Sequence, residues 1–227
     1  MNKMTKILLF LICVATTLMQ QSCGNGNKTE NHAGTSAIFV CFVPLDGISS
    51  GEVKRLNEDF STHFADSQSE PYTVTSLFHS TSPLSCLNDS KTKLRADKLL
   101  KWLDKAYKDS VLADIKKEKV MDCTYYIIGV TDKDISTSVH GSDDYGILGL
   151  SYLGRGNTSV ISTYRLRRKK DLWKLAAHEF CHGFYGCPHC KNDNPYCIMA
   201  DAKGGNPQFE IKDSLCVECA TLCTICD

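Results

Sequence analysis

Apolar and polar positions change period several times along the first two thirds of the chain. Ala37 to Val43 is an unbroken apolar run of β-branched and aromatic residues, which predicts a buried strand. Val53, Leu56, Phe60 and Phe64 then recur at helical spacing. Tyr72 to His79 reads as a second strand, and Leu94, Leu99, Leu103, Ala106 and Tyr107 give the next segment an apolar helical stripe. Thr124 to Val130 is a third buried strand, so the order strand, helix, strand, helix, strand predicts an α/β sheet layer. Ile147 to Leu153 and Ser159 to Tyr164 read as further strands around a Gly-Arg-Gly-Asn turn. Asp171 then stands as the N-cap of a helix whose buried side is Leu172, Leu175, Ala176 and Phe180, which turns His178 and His182 toward a cleft.

That last helix carries chemistry. His178 and His182 are four apart, about one turn, and can present two imidazole nitrogens to one metal. Glu179 lies roughly 100° further round. It is therefore outside the ligand pair, yet near enough to take a proton from a water activated by the metal. Gly186 can turn the chain so that His189 approaches from outside the helix, giving three protein ligands and a fourth position for water and substrate. Cys190 follows directly, then Cys197-Ile198-Met199, and later Cys216 and Cys219.

This run resembles the archaemetzincin branch of the metzincin zinc peptidases, whose pattern is HExxHxxGxxHC, a short gap to CxM, then CxxC. The resemblance implies a metzincin-like α/β (α+β) domain: a mixed twisted sheet, an active-site helix and a cysteine-rich zinc-binding C-terminal part. It implies two Zn2+ ions, one catalytic on His178, His182 and His189, and one structural on Cys190, Cys197, Cys216 and Cys219. Glu179 would be the general base and Met199 the Met-turn residue beneath the catalytic metal. Tyr125 to Asp132 and Ser162 to Leu166 resemble the family's core strand and the segment before its active-site helix, so the likeness spans roughly residues 36 to 222. The strand from Ile147 would be the edge strand that receives an extended peptide, and an aminopeptidase preference is among the implied activities.

Two departures from the family pattern carry expectations of their own. Gly183, Phe184 and Tyr185, three residues rather than two, separate His182 from Gly186. A looser last helical turn would absorb the extra residue; otherwise the third ligand is misplaced. The gap from Cys190 to Cys197 is also longer, with Asn192, Asp193 and Asn194 to accommodate it. A misplaced His189 would favour a different class of protein, a zinc-stabilised lipoprotein that binds peptide or protein without cutting it. A thiol redox or metal-buffering role for the paired cysteines is a third reading.

The N-terminus predicts export. Lys3 and Lys6 precede an apolar run from Ile7 to Met19, the length of a signal-peptide core. Cys23 looks like the lipidated cysteine of a bacterial lipoprotein. Residues 1–22 are thus read as a signal peptide, 23–35 as a tether and 36–227 as the peptidase domain, lipid-anchored in the cell envelope. The 227 residues balance 26 Lys and Arg against 26 Asp and Glu, which gives no reason to expect a nucleic-acid partner; the expected partners are a peptide or protein substrate and the membrane. Eight of the thirteen cysteines fall between residues 181 and 226, a clustering that metal binding explains better than a disulfide framework. The partners of Cys181, Cys187, Cys223 and Cys226 stay open: disulfides, one of them between Cys181 and Cys187, substitute zinc ligands, or apolar packing. Cys216, Cys219, Cys223 and Cys226 would share one face of a helix. Arg165, Arg167, Arg168, Lys169 and Lys170 form the strongest charge run and read as a solvated loop. His32, His63, His79 and His140 have no ligand-like spacing.

Overall fold

A computed structural model describes residues 37–65, 72–117, 123–139, 141–154, 156–192, 194–201 and 208–223. The expectations for the signal peptide, the Cys23 anchor and the tether, and those for His32, His140 and Cys226, fall outside the described residues. Among the described residues, no helix is long and apolar enough to cross a membrane.

Strand β1 (Ala37–Pro44) is apolar without alternation because both of its faces are covered. Ile38, Val40 and Phe42 enter one core, and Phe39, Cys41 and Val43 enter the other. Helix α1 (Ser50–His63) starts at a capping box between Ser49 and Glu52. Strand β2 (Tyr72–Ser76) runs parallel to β1. After the short β3 (Leu94–Arg95), helix α2 (Ala96–Lys117) covers the second core with Leu99, Leu100 and Leu103. Strand β4 (Cys123–Thr131) lies on the other side of β1, also parallel. Strands β5 (Ile135–Val139) and β6 (Ser142–Ile147) form a small sheet with β3. Strand β7 (Gly149–Ser151) is antiparallel to β8 (Thr158–Ser162), which is parallel to β4. The main sheet is therefore mixed, in the order β2-β1-β4-β8-β7, with β7 at its edge.

Two local readings change. The single strand expected from Ile147 to Leu153 is two, because the chain leaves the small sheet at Ile147 and joins the main one at Gly149. The sequence reading missed β5 and β6, whose polar ISTSV and SDDYGI carry no apolar run. The basic run lies solvated at the surface as expected, and its side chains also find carboxylates: Arg165 grips Asp134 with two nitrogens at 2.6 and 2.8 Å, Arg167 meets Glu210 at 3.2 Å, and Lys169 reaches Glu52 at 2.5 Å. Arg168 Nε donates to Asp171 at 2.6 Å, and Lys174 Nζ lies 3.3 Å from the same carboxylate. Asp171 does occupy the N-cap position of helix α3 (Leu172–Gly183), but its side chain is spent on these two cations and makes no capping bond.

The back of α3 is held by aromatic rings. Phe180 meets Tyr126 at 5.0 Å, Phe64 at 5.8 Å and Phe60 at 6.0 Å between centroids, each edge to face. Because Phe180 is fully buried between Glu179 and His182 in sequence, the same packing that stabilises the domain aims the histidines. Phe180→Ala should cost about 3–5 kcal/mol, read as a lower urea midpoint; a loss within the scatter of surface substitutions would show that the ring does not anchor the helix.

Candidate active site and metal-binding clusters

His178 and His182 leave α3 one turn apart, and each ring is fixed by a carbonyl behind it. His178 Nδ1 donates to the Ile198 carbonyl at 2.9 Å, and His182 Nδ1 to the Cys187 carbonyl at 2.6 Å. Those bonds leave both Nε2 atoms pointing the same way, 3.1 Å from each other. Burial, reinforced by the neighbouring His182, holds the His178 pKa well below the usual imidazole range, and burial lowers that of His182 to about 4. Both rings are thus neutral at neutral pH, with Nδ1 protonated and Nε2 bare. Two bare lone pairs at that distance repel, and a cation shared by them removes the repulsion. Two imidazoles on one tetrahedral zinc, with bonds of 2.0–2.1 Å, would have nitrogens about 3.3 Å apart.

The residue beyond the family spacing is absorbed where α3 ends. The helix closes at Gly183, Phe184 keeps helical angles (φ −81°, ψ −54°), and Gly186 takes φ +69°, a left-handed conformation that favours glycine. Gly186 packs on Gly154 of the loop after β7, and Gly154 N–H donates to the His182 carbonyl at 3.0 Å. The turn brings His189 back over the helix. Its ring centroid lies 4.7 Å from that of His182 and 5.4 Å from that of His178, and one nitrogen from each of the three residues falls within 4.8 Å of the others. His189 faces the open side of the site, with Asp201 Oδ2 3.8 Å from its Nδ1.

Glu179 points the other way round the helix, into a cleft of about 420 Å³ between the histidines, Pro188 and strand β7. Ser151 Oγ donates to Glu179 Oε2 at 2.8 Å. A Cβ at Gly149 would come within 2.5 Å of Glu179 Oε1, so glycine there lets the carboxylate lie against the edge strand. Burial pushes the Glu179 pKa up to about 7, against the lowering effect of the Ser151 hydrogen bond. If ionised Glu179 accepts a proton during turnover, Ser151→Ala should raise its pKa further. The acid limb of the kcat/KM profile would then move to higher pH while the rate above it changes little. An unmoved limb with a uniformly lower rate would instead mean that Ser151 only supports the strand.

Met199 is fully buried, and its carbonyl accepts from Cys190 N–H at 2.8 Å. Behind His178, Lys212 Nζ donates to the Ile198 carbonyl at 3.3 Å and the Ala200 carbonyl at 2.5 Å, while Lys174 Nζ holds the carbonyls of Phe209 (3.1 Å) and Lys212. Phe209 sets its ring 6.0 Å from His178, edge to face. Sequence reasoning missed Ser151, Lys212 and Phe209; none carries a spacing signal, since each acts across a sequence gap that only the fold closes.

Cys190, Cys197, Cys216 and Cys219 form a second cluster, with all four sulfurs within 4.8 Å of one another. Cys190 and Cys216 stand 3.7 Å apart, against about 3.8 Å for two thiolates on a tetrahedral zinc with 2.3 Å bonds. The cysteines arrive from separate stretches: a parallel bridge between Cys197 and Ser214 aligns the two halves, and Cys216 and Cys219 begin the short helix α4 (Val217–Leu222). Of the four cysteines expected on one helical face, only Cys219 lies within a helix among the described residues; Cys216 is its N-cap, and Cys226 falls outside them. Cys223, at the C-cap of α4, turns its sulfur to Cys187 instead. The other histidines whose side chains are described stand elsewhere: His63 stacks on Trp173 at 4.9 Å, and His79 bonds the Asp46 carbonyl.

No family model matches the chain. The archaemetzincin of Nanoarchaeum equitans is 29% identical over 140 residues, 60% of this chain and 66% of that protein. The archaemetzincin of Haloquadratum walsbyi is 33% identical over 110 residues, 42% of this chain and 59% of that protein. The matched region therefore spans less than two thirds of either relative. Among solved structures, the archaemetzincin of Archaeoglobus fulgidus, complexed with malonate, superposes with a TM-score of 0.57 at 24% identity, covering 81% of this chain and 99% of its own. The chain thus resembles archaemetzincins in sequence and in fold. A zinc-dependent peptidase from Methanocorpusculum labreanum has the same fold, with a TM-score of 0.64 at 22% identity over 82% of this chain and all of its own. The expected mixed α/β domain with a cysteine-rich C-terminal part is thus the fold found, and the archaemetzincin-like likeness extends from motif to architecture.

Proposed function

We propose that the protein is a zinc-dependent metallopeptidase that holds two zinc ions. The observation that carries this is the approach of two neutral imidazoles, Nε2 to Nε2 at 3.1 Å, with His189 turned in beside them and Glu179 buried next to them but bonded elsewhere. His178, His182 and His189 would hold the first ion, and Cys190, Cys197, Cys216 and Cys219 the second. A zinc ion on the histidines would supply Lewis-acid polarisation of a peptide carbonyl and acidify water at neutral pH.

The chain's own residues do the rest. Glu179, ionised, takes the proton of the attacking water and delivers it to the leaving amine, two transfers for which a pKa near neutrality is suited. Ser151 fixes the carboxylate oxygen that is not needed for the transfer. Among the described residues, strand β7 has a hydrogen-bonded neighbour on one side only, β8, so an extended peptide can add to its outer edge along the cleft. The Ile198 and Cys187 carbonyls keep both imidazoles in the ligating tautomer. The non-catalytic alternative loses its main support, because His189 stands with the other two histidines despite the altered spacing.

Export and a lipid anchor at Cys23 belong to this reading and rest on the sequence alone; labelled fatty acid that stays with the wild type and not with Cys23→Ala would support them. Peptide hydrolysis by the full chain should vanish with a chelator and return on adding zinc. Hydrolysis indifferent to the chelator would contradict the proposal.

A further inference from the structure

Beside the four-sulfur cluster, and apart from Cys41 and Cys86 in the other core, stand three more buried cysteines: Cys181 on α3, Cys187 in the third-ligand turn and Cys223 at the end of α4. Cys187 Sγ and Cys223 Sγ are 2.7 Å apart, although 36 residues separate them. This is closer than two thiolates on one tetrahedral zinc, which stand about 3.8 Å apart, as Cys190 and Cys216 nearly do. It is also inside ordinary contact between unbonded sulfurs. Among the described residues, these three cysteines do not form a metal-holding group, whereas the four of the neighbouring cluster do. Each partner's backbone is fixed independently: Cys187 N–H donates to the Cys181 carbonyl at 3.0 Å, and Cys223 N–H to the Cys219 carbonyl at 3.0 Å. The approach is therefore imposed by the fold and is not the accident of one loose loop.

We propose that Cys187 and Cys223 form a disulfide that ties the third-ligand turn to the C-terminal helix, leaving Cys181 as a free thiol beside it. The bridge would close a loop containing His189, Met199 and all four clustered cysteines, so the two metal sites would share one covalent frame. Cys187 is also the residue whose carbonyl orients His182. The bond therefore holds the segment in which the extra residue before Gly186 is absorbed.

The oxidant is an external disulfide. The Cys187 thiolate attacks it and releases one thiol, giving a mixed disulfide; the Cys223 thiolate then attacks Cys187 Sγ and releases the second. Two protein thiols are oxidised and one external disulfide is reduced to two thiols. Since Cys187 is 1% exposed and Cys223 fully buried, the exchange accompanies folding, before α4 packs, and the finished bond is shielded from reductant.

The test is a linkage map of the full chain, folded with zinc in a buffer of glutathione and glutathione disulfide. The protein is denatured with chelator and without reductant, alkylated, digested and sequenced by fragmentation. The expected result is a Cys187–Cys223 link, with Cys181, Cys190, Cys197, Cys216 and Cys219 all alkylated. The same link should persist in Cys181→Ser. Full alkylation of the native protein, or a link from Cys181 to either partner, would overturn the inference. Since the readout is a covalent bond, a protein that carries the link and cuts no peptide would sink the peptidase reading and leave this one standing.

Discussion

Glu179→Ala is expected to reduce peptide hydrolysis by about a thousandfold or more, the scale of a lost general base, while the fold and both metals are retained. The geometry separates the two effects. Glu179 lies outside the three-histidine group and its Oε2 is bonded to Ser151 on the edge strand, so its removal takes nothing from the ligand set. The buried carboxylate is also a poor contributor to stability. Its pKa is raised to about 7, so the folded state prefers the protonated form and loses stability as pH climbs from the unfolded carboxyl value through 7. In the metal-free protein the variant lacks that penalty, and its thermal midpoint above neutral pH should equal or exceed that of the metal-free wild type. Metal content measured by atomic emission, beside the melting curve, checks this. Loss of zinc from the variant would make Glu179 a ligand or a ligand support and contradict its assigned role.

Cys219→Ser should act in the opposite way, through the fold. From Cys190 to Cys223 the described chain has little regular structure: one three-residue 3-10 turn at Phe209–Ile211 and the six-residue α4. Outside α4 the segment is held by turn and bridge hydrogen bonds, such as Ile198 N–H to the Ser214 carbonyl, and not by a sheet or a long helix. A four-thiolate zinc site contributes about 10 kcal/mol or more to folding in small zinc domains, as much as the whole stability of a typical domain, about 5–15 kcal/mol. The segment also carries Met199, the Ile198 carbonyl behind His178, and Phe209. Breaking the cluster should therefore release the region to proteolysis and loosen the histidine site with it, while the sheet and α1 keep their packing. Limited proteolysis with mass readout distinguishes this: early cuts beyond Cys190 are expected, and a variant as resistant as wild type would show that the cysteine cluster is not structural.

What could be read before the fold was known follows from how each feature is encoded. Strands β1 and β4 announce themselves because burial on both faces demands apolar runs, as in Ala37–Val43 and Thr124–Val130, and the first helices through their apolar stripes. The histidines and Glu179 were legible because helical spacing alone juxtaposes them. Strands β5 and β6 were not legible: they are half exposed and built from Ser, Thr and Asp, so no apolar period marks them. The basic run reads correctly as a surface loop, but charge spacing does not disclose its partners. Arg165 and Lys169 find Asp134 and Glu52, 31 and 117 residues away. For the same reason Ser151, Lys212 and Phe209 were invisible, and the pairing of Cys223 with Cys187 could not be told from other arrangements. The extra residue before Gly186 was visible as a problem; its solution, Phe184 kept helical and Gly186 left-handed, needed coordinates.

The most direct measurement is digestion of a mixed peptide library by the zinc-loaded chain, wild type beside Glu179→Ala, with the products read by mass spectrometry. Cleavage by the wild type alone is the predicted result, and the product termini would then separate end trimming from internal cutting. Cleavage by neither protein, with two zinc ions bound to each, would contradict the account.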